Sequence, residues 1–185
     1  MKIKEGHYLA PYVATPSELA PHIMELTKPK KGDRFADIGC GEEGVMVIEA
    51  AKLKYGLKEV IGIEGVKDRI KKVTKRVRDL GLEDRIKIIH ADAVEYNLSK
   101  IKPNIVFMYL TYNGVTMLKP KLESEVEIGT RVVSEAYEVG GWKPSRAVTL
   151  NYKNRKKRDV FVYEIGKTEM REPLELQLEE ILIKE

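Results

Sequence analysis

The chain has 185 residues, 43% of them hydrophobic and 34% charged, with a net charge of +4 at pH 7. That length suits one domain with a sizeable core, and the absence of about 18 consecutive apolar residues excludes a membrane-spanning helix. The first ten residues lack a leader-like apolar stretch, and the one cysteine, Cys40, excludes an internal disulfide framework and fits a reducing cytoplasm. The expectation is a cytoplasmic protein, monomeric or weakly oligomeric. Its single domain is read as an arm and helix over residues 1–28, a core over 29–167 and an acidic extension over 168–185.

In chain order, "TPSELAPHIMEL" (15–26) reads as a helix with Thr15 as N-cap, Glu18 closing a capping box and Pro21 kinking or shortening it. "DRFADIG" (33–39) reads as a strand, and "GVMVIEAAKLKYG" (44–56) as a helix closed by Gly56. "EVIGIEG" (59–65) is a second strand. "KDRIKKVTKRVRDLG" (67–81) is an amphipathic helix with Ile70, Val73, Val77 and Leu80 on one face. "RIKIIHAD" (85–92) and "NIVFMYL" (104–110) are further strands, followed by a short helix, "VTMLKPKLESEV" (115–126), interrupted at Pro120. "TRVVSEAYEV" (130–139) is a fifth strand, and "AVTLNY" with "DVFVYEIG" forms a hairpin around the basic turn Lys153 to Arg158. The tail "EMREPLELQLEEILIKE" (169–185) is acidic and apolar by turns, and helix, strand and oligomer contact all stay open for it.

Alternating strands and helices with continuously apolar strands imply a parallel sheet covered on both faces. The terminal hairpin makes this an α/β, Rossmann-like, doubly wound, mostly parallel seven-stranded sheet with a C-terminal antiparallel hairpin. In such sheets ligands bind beyond the carboxyl ends of the strands, at the topological switch point. Those ends carry Asp37 to Gly41, Glu64, Asp92 and Tyr109 to Asn113.

The loop "GCGEEG" (39–44) places glycines as a nucleotide loop would, and Glu64 follows Gly44 by 20 residues, where a carboxylate accepts from both ribose hydroxyls. That role serves NAD and S-adenosylmethionine equally. The loop separates them, because Asp37, Glu42 and Glu43 stand there without a lysine or arginine. Like charges about 4 Å apart repel by roughly 4 kcal/mol at an effective dielectric near 20. A pyrophosphate is disfavoured and a sulfonium with its ammonium is favoured. Asp92 with the Ala93 N–H can hold an adenine edge, although an aspartate at a strand end also serves as an ordinary turn residue.

"ADIGCG", Glu64 and "HADA" resemble the motifs of class I S-adenosylmethionine-dependent methyltransferases. "PYVATP", "FMYLTYNGVTMLKPKLE", "GTRVVS" and "GWKP" together resemble, more narrowly, the archaeal class I protein-lysine methyltransferases, over about Tyr8 to Gly166. The resemblance implies that Asp37, Gly39, Cys40 and Gly41 line the methionine part of the cofactor. It likewise assigns Glu64 to the ribose, and Asp92 with Ala93 to the adenine. Tyr12 and Thr15 would close over the cofactor, and Tyr109, Thr111, Tyr112 and Asn113 would sit near the transferring methyl, with strand-end packing the other reading of the tyrosines. The chain departs from the family in its longer glycine loop, in Ala14 where proline is usual, and in Glu135 where histidine is frequent.

The implied chemistry is direct displacement at the sulfonium methyl by a neutral amine of a protein lysine, with no metal, since His7, His22 and His90 are scattered. The alternatives are an RNA or small-molecule methyltransferase, an NAD-dependent oxidoreductase, and a cofactor-binding protein without turnover. The basic cluster Lys153 to Arg158 keeps an RNA or acidic-protein contact open beside a solvated turn.

Overall fold

The computed structural model describes residues 9–153, 156–168 and 178–183. Tyr8, Asn154, Arg155 and most of the acidic tail lie outside the described residues. Strands β1 (Arg34–Ile38), β2 (Glu59–Glu64), β3 (Ile86–His90), β4 (Ile105–Met108) and β5 (Arg131–Glu135) lie parallel. β6 (Arg146–Tyr152) and β7 (Lys156–Glu164) form the expected hairpin, and β7 inserts antiparallel beside β5. The order is β3-β2-β1-β4-β5-β7-β6-β8, so the doubly wound sheet carries one strand more than expected. The extra strand is β8 (Glu179–Leu182), from the tail, pairing parallel with β6. Its glutamates pair as an edge strand's do: Glu179 takes a bidentate pair from Arg146, and Lys157 pairs with Glu180.

Helices α1 (Ala20–Leu26), α2 (Val45–Ala50), α3 (Lys67–Asp79) and α4 (Tyr112–Glu125) cover the sheet. α1 starts five residues later than the sequence suggests. The Thr15 hydroxyl bonds elsewhere, leaving the helix without a side-chain cap, and Pro21 falls in the first turn, where its missing N–H costs nothing. α2 ends after six residues and a short 3-10 turn carries the chain to Gly56. On α3, Val73 and Val77 are buried, whereas Leu80 is exposed beyond the helix end. α4 is longer than expected at its start, because Thr111 caps it by accepting from the Gly114 N–H. It runs through Pro120, whose unmatched carbonyl belongs to the exposed Thr116. β5 stops at Glu135, where Ala136 turns left-handed at φ 72°.

The strand period of two sets what the site contains. Phe35, Phe107, Val133, Leu150 and Val160 belong to one apolar cluster, which also takes in Ile23 and Met24 of α1 and Met46 and Val47 of α2. Each fully buried side chain of this kind contributes about 1.5–3 kcal/mol. Two residues further toward the carboxyl edge, on the same face, stand Asp37, Tyr109, Glu135, Tyr152 and Arg158. Apolar packing ends there and a polar row begins.

Candidate active site

The loop after β1 is held from three sides. The Gly39 and Cys40 N–H groups both donate to the Ile63 carbonyl, at 2.8 and 3.1 Å. The Gly41 N–H donates to Glu64 Oε2 at 3.0 Å, and the Glu43 N–H donates to the Tyr12 hydroxyl at 3.3 Å. Four amides of the loop are therefore already used. Gly41 sits at φ 67°, and a Cβ there would come within 2.3 Å of the Tyr12 ring, so the N-terminal arm lies directly on the loop. Gly44, at φ 58°, absorbs the extra residue: it turns the chain into α2 and leaves no room for a side chain against Val73.

Glu64 is 4% exposed and its other oxygen accepts from the Val66 N–H at 2.8 Å. Two backbone donors fix the carboxylate while lone pairs remain for ribose hydroxyls. Arg69 lies 3.8 Å away and stacks over the Tyr12 ring. The Ala91 N–H bonds the Glu64 carbonyl, which sets the Asp92–Ala93 turn beside Glu64. Asp92 accepts from the Val94 N–H at 2.9 Å, and Ala93 is buried.

Asp37 is fully enclosed, and burial, then the neighbouring carboxylates of Glu64 and Glu135, push its pKa well up. Burial, then the carboxylates of Asp37 and Glu64, raise the Cys40 thiol, which makes it packing rather than a nucleophile. Carboxylates crowded this way are relieved by a cation, and a sulfonium with its ammonium fits where a phosphate does not.

Tyr12, Thr15, Asp37, Gly39, Cys40 and Tyr109 line one pocket. Of the residues expected near the methyl, Tyr109 is there. Thr111 instead caps α4 and donates to the Leu9 carbonyl at 2.8 Å, tying down the arm. Tyr112 and Asn113 are exposed at the start of α4, and Tyr112 borders a second cavity with Tyr137 and Phe161. Two residues enter the site that sequence reasoning placed elsewhere. Glu135, with no exposed surface, accepts from the Thr15 hydroxyl at 2.6 Å. Arg158, placed in the basic turn, points inward from β7, donates to the Tyr109 hydroxyl, stacks on its ring and lies 3.4 Å from Glu135 Oε1. Counting by two from Val133 and Val160 would have found both.

Residues 37–146 match the ANTKMT methyltransferase domain family, over more than half of the chain. The chain belongs to that methyltransferase family. A protein-lysine N-methyltransferase of Saccharolobus islandicus (strain REY15A) is 35% identical over 84% of this chain and 94% of its own length. The structure of an RNA methyltransferase from Salinibacter ruber in complex with S-adenosyl-L-homocysteine superposes with a TM-score of 0.73 at 28% identity, covering 89% of this chain and 99% of that one. An rRNA N(6)-adenosine-methyltransferase of Caenorhabditis elegans is 32% identical over 51% of this chain and 42% of its length. The methyltransferase uses S-adenosylmethionine as donor, and the oxidoreductase alternative falls. Among the described residues, no helix is long and apolar enough to cross a membrane, and no group of three or more histidine, cysteine or acidic side chains could hold a metal.

Proposed function

We propose that this methyltransferase transfers methyl groups from S-adenosylmethionine to lysine side chains of proteins. The observation that carries the reading is the polar row itself: Asp37, a buried acid, lines the pocket with Tyr109, and Glu135, also buried, reaches it through the Thr15 hydroxyl. Acidic and aromatic walls favour a cationic acceptor on an aliphatic stem over a segment of polyanion. The similarity to the Saccharolobus protein-lysine enzyme over most of both chains supports the same choice.

The donor supplies an activated methyl on a good leaving group, so positioning provides most of the acceleration. Asp37 with Gly39, Cys40 and Gly41 would hold its methionine end, Glu64 its ribose, and Asp92 with Ala93 its adenine. Tyr12 and Thr15 would close the arm over it, and Tyr109 would border the methyl. Thr111, Tyr112 and Asn113 would shape the entrance around it.

RNA methylation is the second reading, favoured by the Salinibacter and Caenorhabditis relatives. The basic cluster supports it less than its sequence suggests, because Arg158 turns inward and Lys157 pairs with Glu180. Labelled donor offered together with mixed cell protein and total RNA separates the two. Label lost to protease and kept after ribonuclease is the expected outcome. The reverse pattern would replace lysine with RNA.

A further inference from the structure

Glu135 is a buried carboxylate to which none of the roles above gives a chemical step. It ends β5 and has no exposed surface. Oε2 accepts from the Thr15 hydroxyl at 2.6 Å, while Oε1 has no hydrogen bond among the described residues and Arg158 Nη1 lies 3.4 Å from it. A threonine hydroxyl has one proton. Thr15 gives that proton to Glu135, so its lone pairs are left as acceptors, and Thr15 lines the pocket together with Asp37 and Tyr109.

The geometry points to Thr15 and Glu135 as a two-member proton relay that deprotonates the acceptor ammonium, an inference that rests on the lysine reading. The ammonium passes a proton to Thr15 Oγ1 as the threonine's own proton moves to Glu135 Oε2. The freed nitrogen lone pair forms a bond to the donor's methyl carbon, and the carbon–sulfur bond breaks with its electron pair staying on sulfur. S-adenosylhomocysteine and a methylated ammonium result, and Glu135 returns its proton to solvent as products leave.

An anion with one oxygen unbonded is a stronger base than a satisfied one. Burial holds the Glu135 pKa up at about 7, against the lowering pulls of the Thr15 hydroxyl and the Arg158 charge. Every charged neighbour has a stated part. Glu135 itself helps raise the pKa of Asp37 of β1, and Arg158 of β7 sets an opposite charge beside Glu135. Tyr109, just past β4, and Tyr152 of β6 hold the Arg158 guanidinium. Arg158 is thus a positioning residue, fixed between the carboxylate it balances and the ring it covers.

The test is the pH profile of single-turnover methyl transfer to poly-L-lysine by the wild type and by E135Q, T15V and T15S, with S-adenosylhomocysteine affinity measured on each. At pH 7 the wild type should exceed E135Q and T15V by about 100-fold, within the range of general base catalysis. Near pH 10.5, where free lysine amines are largely neutral, that gap should close to about 3-fold. T15S, which keeps the hydroxyl, should stay close to wild type, and donor-product affinity should hold in E135Q. Should E135Q fail to fold, the isosteric T15V carries the same comparison. A constant ratio of wild type to variant across pH would overturn the relay. So would a tenfold loss of S-adenosylhomocysteine affinity in E135Q, which would make Glu135 part of the donor site. A wild type inactive on poly-L-lysine at every pH would instead sink the lysine reading, and the relay with it.

Discussion

Replacing Gly41 with alanine tests how the arm and the glycine loop depend on each other. The new Cβ would lie 2.3 Å from Tyr12 Cε2 and 3.0 Å from Cδ2, far inside contact distance, at a backbone φ of 67°. The left-handed conformation alone costs about 1–2 kcal/mol for a residue with a Cβ. The collision adds to this unless the Tyr12 ring moves, and the ring can move because it belongs to the arm rather than the core. Global stability should therefore fall modestly, with Tm lower by about 2–6 °C for a chain of this size. Donor binding should suffer more. Displacing Tyr12 removes its bond from the Glu43 N–H and its stacking under Arg69, and a loss of about 1.4 kcal/mol is tenfold in affinity. Calorimetric titration with S-adenosylhomocysteine, beside thermal unfolding, reads both. In a Tyr12→Ala background the same glycine change should cost only its backbone term, so the two substitutions should be markedly non-additive. Full additivity, or unchanged affinity in Gly41→Ala, would show that the arm does not cover the loop.

Stability should fall as pH rises through the Glu135 titration. Its folded pKa of about 7 lies above the ordinary 4.5, so its contribution is fully present below pH 4.5 and is lost as pH approaches and passes 7. The difference corresponds to about 3 kcal/mol, and Glu135→Gln should flatten that slope in unfolding experiments between pH 4.5 and 8. A slope that E135Q leaves unchanged would assign it to other groups, such as Asp37, which is raised in the same direction. Arg131 bonds the Thr27 and Lys28 carbonyls and Asp33 at the opposite end of the sheet. Arg131→Ala should cost about 3 kcal/mol of stability, as loss of a partner from a buried pair does, while donor affinity in the folded protein stays unchanged. Removing residues 178–185 deletes β8 and its Arg146 and Lys157 pairs, so Tm should drop without a tenfold change in donor affinity.

Much of this fold was legible because the five parallel strands are short apolar runs, and because Gly56 and the residues around Gly39 punctuate them where the chain turns. The candidate site was legible for the same reason. Asp37, Glu64 and Asp92 sit at strand ends, where position follows from register alone. What escaped depended on partners distant in sequence. Thr15 has the local features of an N-cap, yet a carboxylate 120 positions away takes its proton. Arg158 looked like part of a solvated turn because five other residues of that cluster surround it, and only the alternation along β7 turns it inward. Pro120 suggested a break that α4 does not make, since the orphaned carbonyl faces water. The tail strand was ambiguous because an edge strand beside an acid-poor neighbour can carry glutamates as readily as an exposed helix can.

The most direct measurement locates the transferred methyl. An acceptor protein incubated with the enzyme and labelled S-adenosylmethionine is digested and sequenced by tandem mass spectrometry, beside RNA treated identically and hydrolysed to nucleosides. The account predicts label on lysine Nε and none on nucleosides. Label on a nucleoside, with lysines unmodified, would contradict it.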